Sequence, residues 1–337
     1  NRFAVLSLNA AERLVEQGKK DNAEKIYLQT LSIVDVPYLA AGVLDGLMRM
    51  QSREAVILAL RWVVEPDLMN AAVNALINST IPDLDSQLTA AFLRDTGFRK
   101  AQILRVLAHR HTDDFPKILD VAAKDTSAEV RLAAAEIAGT LPEVKDFREA
   151  FATGAVMGKD NTARFAIQTA SRLIEQGNNR QPVEIAELVI RAQSDLPFLA
   201  EAFRIIAHAA TPDSIPLLSE IFGMPYTGFD PNSPGTFNQN LARAFEKDSN
   251  LKALAEKAYV ASCANADAET AVSTLKNVVE RSGFPEVVMA AGVALQKHGI
   301  NTTEIAAKQG YLTFWRVIGP FPNEDNRNVN VAFLPEN

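Results

Sequence analysis

The clearest structural signal in the chain is the run Glu129-Val130-Arg131-Leu132-Ala133-Ala134-Ala135-Glu136-Ile137-Ala138-Gly139. Apolar residues recur through it at i, i+3, i+4, i+7 and i+11, the spacing of one helix face: Val130, Ala133, Ala134, Ile137 and Leu141. Thr126 followed by Glu129 predicts a capping box at the helix start, and Pro142 marks its end. A second stripe follows at once, so this part of the sequence predicts a helical hairpin.

The same pattern recurs along the chain. Six aligned segments carry it: Asp45-Gly46-Leu47-Met48, Asn74-Ala75-Leu76-Ile77, Arg105-Val106-Leu107-Ala108, Glu136-Ile137-Ala138-Gly139, Thr169-Ala170-Ser171-Arg172 and Arg204-Ile205-Ile206-Ala207. Successive segments begin 29, 31, 31, 33 and 35 residues apart. A period of this length is typical of stacked helical repeats. We therefore predict an all-α chain, a right-handed α-solenoid of helical hairpins with a short β-type C-terminal tail.

The pattern also suggests how the chain is divided. Residues 1–35 are predicted to form an N-terminal helical capping pair, split by Gly18. Residues 36–300 are predicted to form the repeat solenoid, interrupted at 223–238 by a loop insertion rich in proline and glycine. Residues 301–337 are interpreted as a linker and the first strand of a truncated β-rich domain, because 314–318 have β-type composition.

Composition narrows the function classes. The chain has 337 residues, of which 47% are hydrophobic and 22% charged, so it can bury a large core. No apolar run approaches the roughly 18 residues that a membrane-spanning helix needs. The formal net charge is -7, which argues against a nucleic-acid partner, because phosphate binding needs clustered lysine and arginine.

Residues that could carry catalysis or hold a metal are few. The single cysteine, Cys263, lies in an apolar helical context typical of an inert buried thiol. His109 and His111 could be tested as metal ligands, but their position at a predicted helix end favours a role in ending the helix. The sequence thus predicts no catalytic residue, no metal site and no cofactor.

Residues 129–139 resemble the first helix of HEAT-like repeats, the short type also found in phycobilisome-lyase-like proteins. The resemblance covers some 265 residues in period, although the other units lack the Val130-Arg131 pair. It implies an α-solenoid of HEAT-like hairpins with a concave face.

The C-terminal segment carries a second resemblance. The run Trp315-Arg316-Val317-Ile318-Gly319-Pro320-Phe321-Pro322-Asn323, followed by Leu334-Pro335-Glu336, resembles a junction in secreted multidomain proteins of Bacteroidetes and Planctomycetes. In that family a HEAT-like region precedes a β-rich domain, often in the same chain as a 3-keto-disaccharide hydrolase domain. The resemblance implies an extracytoplasmic location, in the periplasm or at the cell surface, and carries over no catalytic residue.

Two groups of residues are candidates for an interaction surface: the aromatic residues of the loop insertion, and arginines on successive predicted first helices. They are Tyr226, Phe229, Phe237, Arg99, Arg131 and Arg164. The alternative for the aromatics is packing onto neighbouring helices, and the alternative for the arginines is a solvated, salt-bridged face. The loop also matches part of a calcium-binding pattern, but its ligand set is incomplete.

These observations favour a non-catalytic protein-interaction or spacer scaffold, the accessory region of a larger extracytoplasmic carbohydrate-related protein. Its expected partner is another protein or the chain's own missing C-terminal domain, with carbohydrate reached only through that domain. The alternative is a HEAT-type enzyme, such as a lyase or a DNA-glycosylase-like protein, that uses the concave groove.

Overall fold

The computed structural model describes residues 2–112, 114–153, 159–192, 195–230 and 236–302. Within these ranges the all-α prediction is confirmed, since they contain eighteen α-helices, one short 3-10 helix at Pro212–Ser214 and no β-strand. The predicted strand at 314–318 lies outside the described residues.

The helices are numbered here in chain order. The first nine are α1 (Arg2–Glu16), α2 (Lys20–Leu31), α3 (Pro37–Arg49), α4 (Arg53–Trp62), α5 (Met69–Asn78), α6 (Leu84–Arg94), α7 (Gly97–Arg110), α8 (Phe115–Ala122) and α9 (Ala128–Ala138). The others are α10 (Val144–Ala152), α11 (Lys159–Glu175), α12 (Arg180–Arg191), α13 (Leu196–Ala209), α14 (Ile215–Phe222), α15 (Thr236–Lys247), α16 (Ser249–Cys263), α17 (Ala268–Arg281) and α18 (Pro285–Lys297).

The chain folds into two compact units. The first contains residues 1–177 and 184–198, and the second contains residues 178–183 and those from 199 onward. In the first unit, alternate helices lie side by side, so that α3 packs against α5, α5 against α7, and α7 against α9. The aligned sequence segments lie on these alternate helices and on α11 and α13, so the sequence period corresponds to one helix pair.

The first helix pair packs onto α3 through a close contact. Gly18, with φ +73°, separates α1 from α2 in the left-handed backbone conformation that glycine tolerates best. Tyr27 of α2 is fully buried, and its ring lies directly against Gly46 of α3. Because Gly46 has no side chain, the tyrosine ring can reach the α3 backbone.

The start of α9 differs from the predicted capping box by one residue. The N-cap is Ser127 rather than Thr126, and the Ser127 hydroxyl donates to Glu129 Oε2 at 2.6 Å. Glu129 also accepts a hydrogen bond from Thr153, just after α10, at 2.7 Å. The acidic residue therefore joins the two helices of its hairpin, which a local capping rule does not predict.

The second unit is built around α16. This helix packs against α14, α15, α17 and α18, and most of its residues are buried, including Ala255, Tyr259 and Cys263. A helix enclosed on several sides has no broad polar face, which is why α16 shows no clear amphipathic pattern in the sequence. No helix in the described ranges is long and apolar enough to cross a membrane.

Candidate functional site

The candidate site lies along a row of aligned repeat positions, which are Asp45, Asn74, Arg105 and Glu136. Each begins its aligned segment, and they lie on α3, α5, α7 and α9 respectively. Arg105 Nη2 and Glu136 Oε2 are 2.8 Å apart, which places two aligned positions in direct contact between neighbouring first helices. The row is therefore a structural feature of the first unit as well as a sequence pattern.

A groove of about 340 Å³ lies between α3 and α5, beside the aligned positions Asp45 and Asn74. We call it the α3–α5 groove, and its lining residues are Ala41, Leu44, Asp45, Met48, Arg49, Ala71, Asn74, Ala75, Asn78, Ser79 and Thr80. At the aligned position α5 carries Asn74, which is shorter than Arg105 of α7 and Glu136 of α9, and the other α5 residues of the lining are Ala71, Ala75 and Asn78. A concave surface with an apolar floor and a few polar groups is the usual form of a binding site.

The charged residues of the groove lining, Asp45 and Arg49, lie on α3. Arg49 forms ion pairs with Glu12 of α1 at 2.9 Å and with Asp45 at 3.1 Å. Its guanidinium is therefore neutralised by two carboxylates. The Asp45 side chain is 70% exposed and uses only Oδ2 in this contact. Glu12 lies outside the groove lining, but the group of Glu12, Arg49 and Asp45 as a whole carries one net negative charge.

The α5 side carries neutral amides. Asn78 donates its side-chain N–H to the main-chain oxygen of Asn74 at 2.9 Å. Asn74 is exposed, and its own side-chain amide makes no hydrogen bond within the described part of the chain. Ser79, next to Asn78, accepts a hydrogen bond from the Ile81 N–H at 3.2 Å. This wall thus offers both donors and acceptors to a ligand.

Arg131, one of the candidates for an interaction surface, is a structural clamp. Its guanidinium donates to Asp146 at 2.9 Å and to Glu149 at 2.5 Å on α10, and to the main-chain oxygens of Asp125 and Thr126. Burial lowers the pKa of this guanidinium, but the hydrogen bonds and charges of the two acids outweigh burial and leave the pKa above its ordinary value. The side chain ties α9 to α10 and has little capacity left for a partner.

Other basic residues of the first unit are paired as well. Lys100 contacts Asp125 at 2.7 Å, and Arg110 pairs with Asp85 while also donating to the main-chain oxygens of Leu76, Ile77 and Ser79. Arg110 thereby satisfies carbonyls at the end of α5 that have no partner inside that helix.

The remaining two candidate arginines lie apart from the α3–α5 groove. Arg99 lies 3.9 Å from Asp95 in the first turns of α7, and Arg164 is exposed on α11, where it donates to Asn161. The structure distributes the three candidate arginines over α7, α9 and α11 and does not join them into one site.

The candidate aromatics belong to the second unit. Tyr226 is buried, and Phe229 is half-buried. Both pack against Phe222 of α14, with ring centroids 5.5 and 6.5 Å away, and Phe229 also meets Phe245 at 4.9 Å. These rings hold the described part of the loop onto the helices. The side chain of Phe237 lies outside the described residues.

Tyr226 donates a hydrogen bond to a buried carboxylate that was not predicted from the sequence. Glu256 of α16 has no exposed surface, and its Oε1 accepts from the Tyr226 hydroxyl at 2.9 Å while Oε2 accepts from Ser282. Lys252 lies 3.9 Å from Oε1. Burial raises the pKa of Glu256, and the hydrogen bonds from Ser282 and Tyr226 offset burial only in part. The carboxylate joins the loop, α16 and the segment after α17.

Replacing Glu256 by glutamine tests this assignment through pH. A carboxyl group with a raised pKa stabilises the folded state fully below its ordinary value of 4.5, and this contribution is lost as the pH rises through the folded value. In Glu256→Gln the amide oxygen accepts from one hydroxyl and the amide N–H donates to the oxygen of the other, so both contacts can persist. We expect this variant to gain stability relative to wild type as the pH rises toward neutrality. Urea unfolding at several pH values, with the exposed Glu246→Gln of α15 as control, measures the difference. A pH-independent difference between Glu256→Gln and wild type would contradict the assignment.

Cys263 and the acidic residues add no second site. The Cys263 thiol is free and buried, and burial raises its pKa to about 12, so it is protonated and enclosed at neutral pH. Within the described ranges, no group of three or more histidine, cysteine or acidic residues could hold a metal ion.

The α3–α5 groove is the candidate site that sequence reasoning missed. Asp45 and Asn74 begin aligned segments, so the repeat alignment already placed them beside each other on neighbouring first helices. The available signal was Asn74, a shorter residue at the aligned position where the next two repeats carry Arg105 and Glu136. Comparison of the chain with protein-family models, curated proteins and solved structures gives no match.

Proposed function

We propose that this chain is a non-catalytic interaction scaffold, a right-handed stack of HEAT-like helical hairpins whose α3–α5 groove binds a segment of a partner protein. The observation that supports the proposal is the groove itself, located where aligned repeat positions face each other across neighbouring helices. Stacked repeats present extended surfaces that suit this task.

Two pairs of neighbouring helices in the first unit differ at the aligned positions. Between α7 and α9 the aligned residues Arg105 and Glu136 form an ion pair. Between α3 and α5 the facing residues are Asp45 and Asn74, flanked by Ala71 and Ala75, and the space is a groove. A binding site can arise in this way without any change in the helical framework.

The C-terminal resemblance supplies a setting for the scaffold. We place the chain in the periplasm or at the cell surface, as the accessory region of a larger carbohydrate-related protein. In this setting the bound segment belongs either to a separate protein or to the chain's own C-terminal domain, and carbohydrate is contacted only through that domain.

A substitution that fills the groove with a bulky side chain tests the proposal. Ala75→Phe places an aromatic ring among the groove residues, and Ala90→Phe places the same ring at an exposed position on α6. We expect peptides selected on the wild-type chain from a random displayed library to lose at least tenfold in affinity for Ala75→Phe and to bind Ala90→Phe normally. Selected peptides that bind both variants equally would contradict the proposal, as would turnover of a glycan by this chain alone. Thermal unfolding of both variants verifies that they are folded.

A further inference from the structure

We infer that the α3–α5 groove recognises an extended peptide that lies along α5, with its main chain paired to Asn74 and Asn78 and a lysine or arginine side chain over Asp45. This inference rests on the proposed function and identifies the class of ligand. It draws on three features of the groove: the spacing of its amides, their free hydrogen-bonding groups and the charge of the opposite wall.

The spacing of the two asparagines matches an extended chain. Asn74 and Asn78 are four residues apart on α5, and four residues of α-helix rise about 6 Å. An extended peptide advances about 6.8 Å over two residues, after which its backbone groups point the same way again. Two amides on one helix face can therefore pair with main-chain groups of alternate peptide residues.

The hydrogen-bonding groups of the asparagines fit the same ligand. A side-chain amide has a donor and an acceptor, as each peptide group does. Asn74 has both available. Asn78 already donates one N–H to the Asn74 main-chain oxygen, which fixes its side chain against α5 and leaves its amide oxygen as an acceptor for a peptide N–H.

The charge around the α3 wall favours a basic side chain on the bound peptide. Asp45 and Arg49 line the α3 wall, and Glu12 of α1, which lies outside the lining, also pairs with Arg49. The three groups together carry one net negative charge. The 70% exposed Asp45 side chain is accessible to a ligand. A cationic peptide side chain restores local neutrality, whereas the phosphates of a nucleic acid would meet a negative wall.

The dimensions set the length of the bound segment. The α5 residues that line the groove run from Ala71 to Asn78, and Ser79 and Thr80 continue it. The seven steps from Ala71 to Asn78 correspond to about 10 Å at the helical rise, which an extended chain covers in about three residues. The groove volume of about 340 Å³ lies at the lower end of the range for ligand pockets.

The experiment uses a positional-scanning library of acetylated, amidated hexapeptides, with binding to the full chain measured by fluorescence polarisation. We expect enrichment of lysine or arginine at one position. For the best peptide, Asn74→Ala should lower affinity about fivefold to thirtyfold. The control Asn277→Ala removes an asparagine of α17 whose side chain donates to its own helix at 2.8 Å, and it should leave the affinity unchanged. Asp45→Asn should lower affinity about twofold to fivefold, with a weaker salt dependence than wild type.

Methylation of single main-chain nitrogens in that peptide separates main-chain recognition from side-chain recognition. We expect the loss of binding to alternate along the peptide, because only every second residue faces α5. Peptides that Ala75→Phe blocks, but that show no basic preference or no effect of main-chain methylation, would overturn this inference and leave the proposed function standing. A library without any peptide whose binding Ala75→Phe blocks would overturn both.

Discussion

Phe222→Ala is expected to lower the free energy of unfolding of the second unit by about 3–5 kcal/mol, the usual range for removing a buried phenylalanine ring. Phe222 is 1% exposed and lies between four other rings. Its centroid is 5.5 Å from Tyr226, 5.9 Å from Tyr259, 6.4 Å from Phe245 and 6.5 Å from Phe229. Losing the ring removes apolar contacts and also the surface on which the loop packs.

Urea unfolding of the purified variant measures this loss, with Phe3→Ala as the matched control. Phe3 of α1 is 70% exposed, so its truncation should change stability by no more than about 0.5 kcal/mol. A loss below about 1 kcal/mol in Phe222→Ala would show that the aromatic cluster does not hold the second unit together.

Gly46→Ala is expected to destabilise the first unit by about 1–3 kcal/mol, although alanine is the better helix former. A methyl group on Gly46 would lie 2.5 Å from Cε1 of the buried Tyr27 ring, a distance at which the ring or α3 must move. Because Tyr27 is enclosed, the displacement would propagate into the contact between the first helix pair and α3.

Gly42→Ala is the control for this prediction, since Gly42 lies on the same helix and a methyl group there would meet only Leu8 Cδ1 at 3.7 Å. We expect Gly42→Ala to stabilise the chain by about 0.5–1 kcal/mol. Thermal and urea unfolding of the two variants give the comparison. If both variants were stabilised to the same extent, the close approach of Tyr27 to α3 would not be a constraint.

The helical repeats could be predicted because their signal is local. The apolar stripe of residues 130–137 and the period of about thirty residues reflect one buried face per helix, whereas Leu141, predicted in the same stripe, lies beyond the end of α9 and is exposed. In the second unit α16 was the harder helix to predict, because it is buried on several sides and shows no such stripe. The N-cap of α9 is Ser127 rather than the predicted Thr126, because threonine and serine are both good N-cap residues and are adjacent there.

The roles of individual polar residues could not be read from the sequence, because their partners lie far along the chain. Arg131 meets Asp146 and Glu149 on the next helix, so its charge is used within the fold. Glu256 meets Tyr226, thirty residues earlier. The α3–α5 groove depends on which residues face each other across neighbouring helices, and this information comes only from the packing.

Peptide binding in the α3–α5 groove is tested most directly by an NMR titration. The titration follows the side-chain amide signals of the asparagines. The titrant is the best peptide of the hexapeptide library. We expect the signals of Asn74 and Asn78 to shift in a saturable way while that of Asn277 on α17 does not. Saturable shifts confined to residues of α14–α18, with Asn74 and Asn78 unchanged, would contradict it.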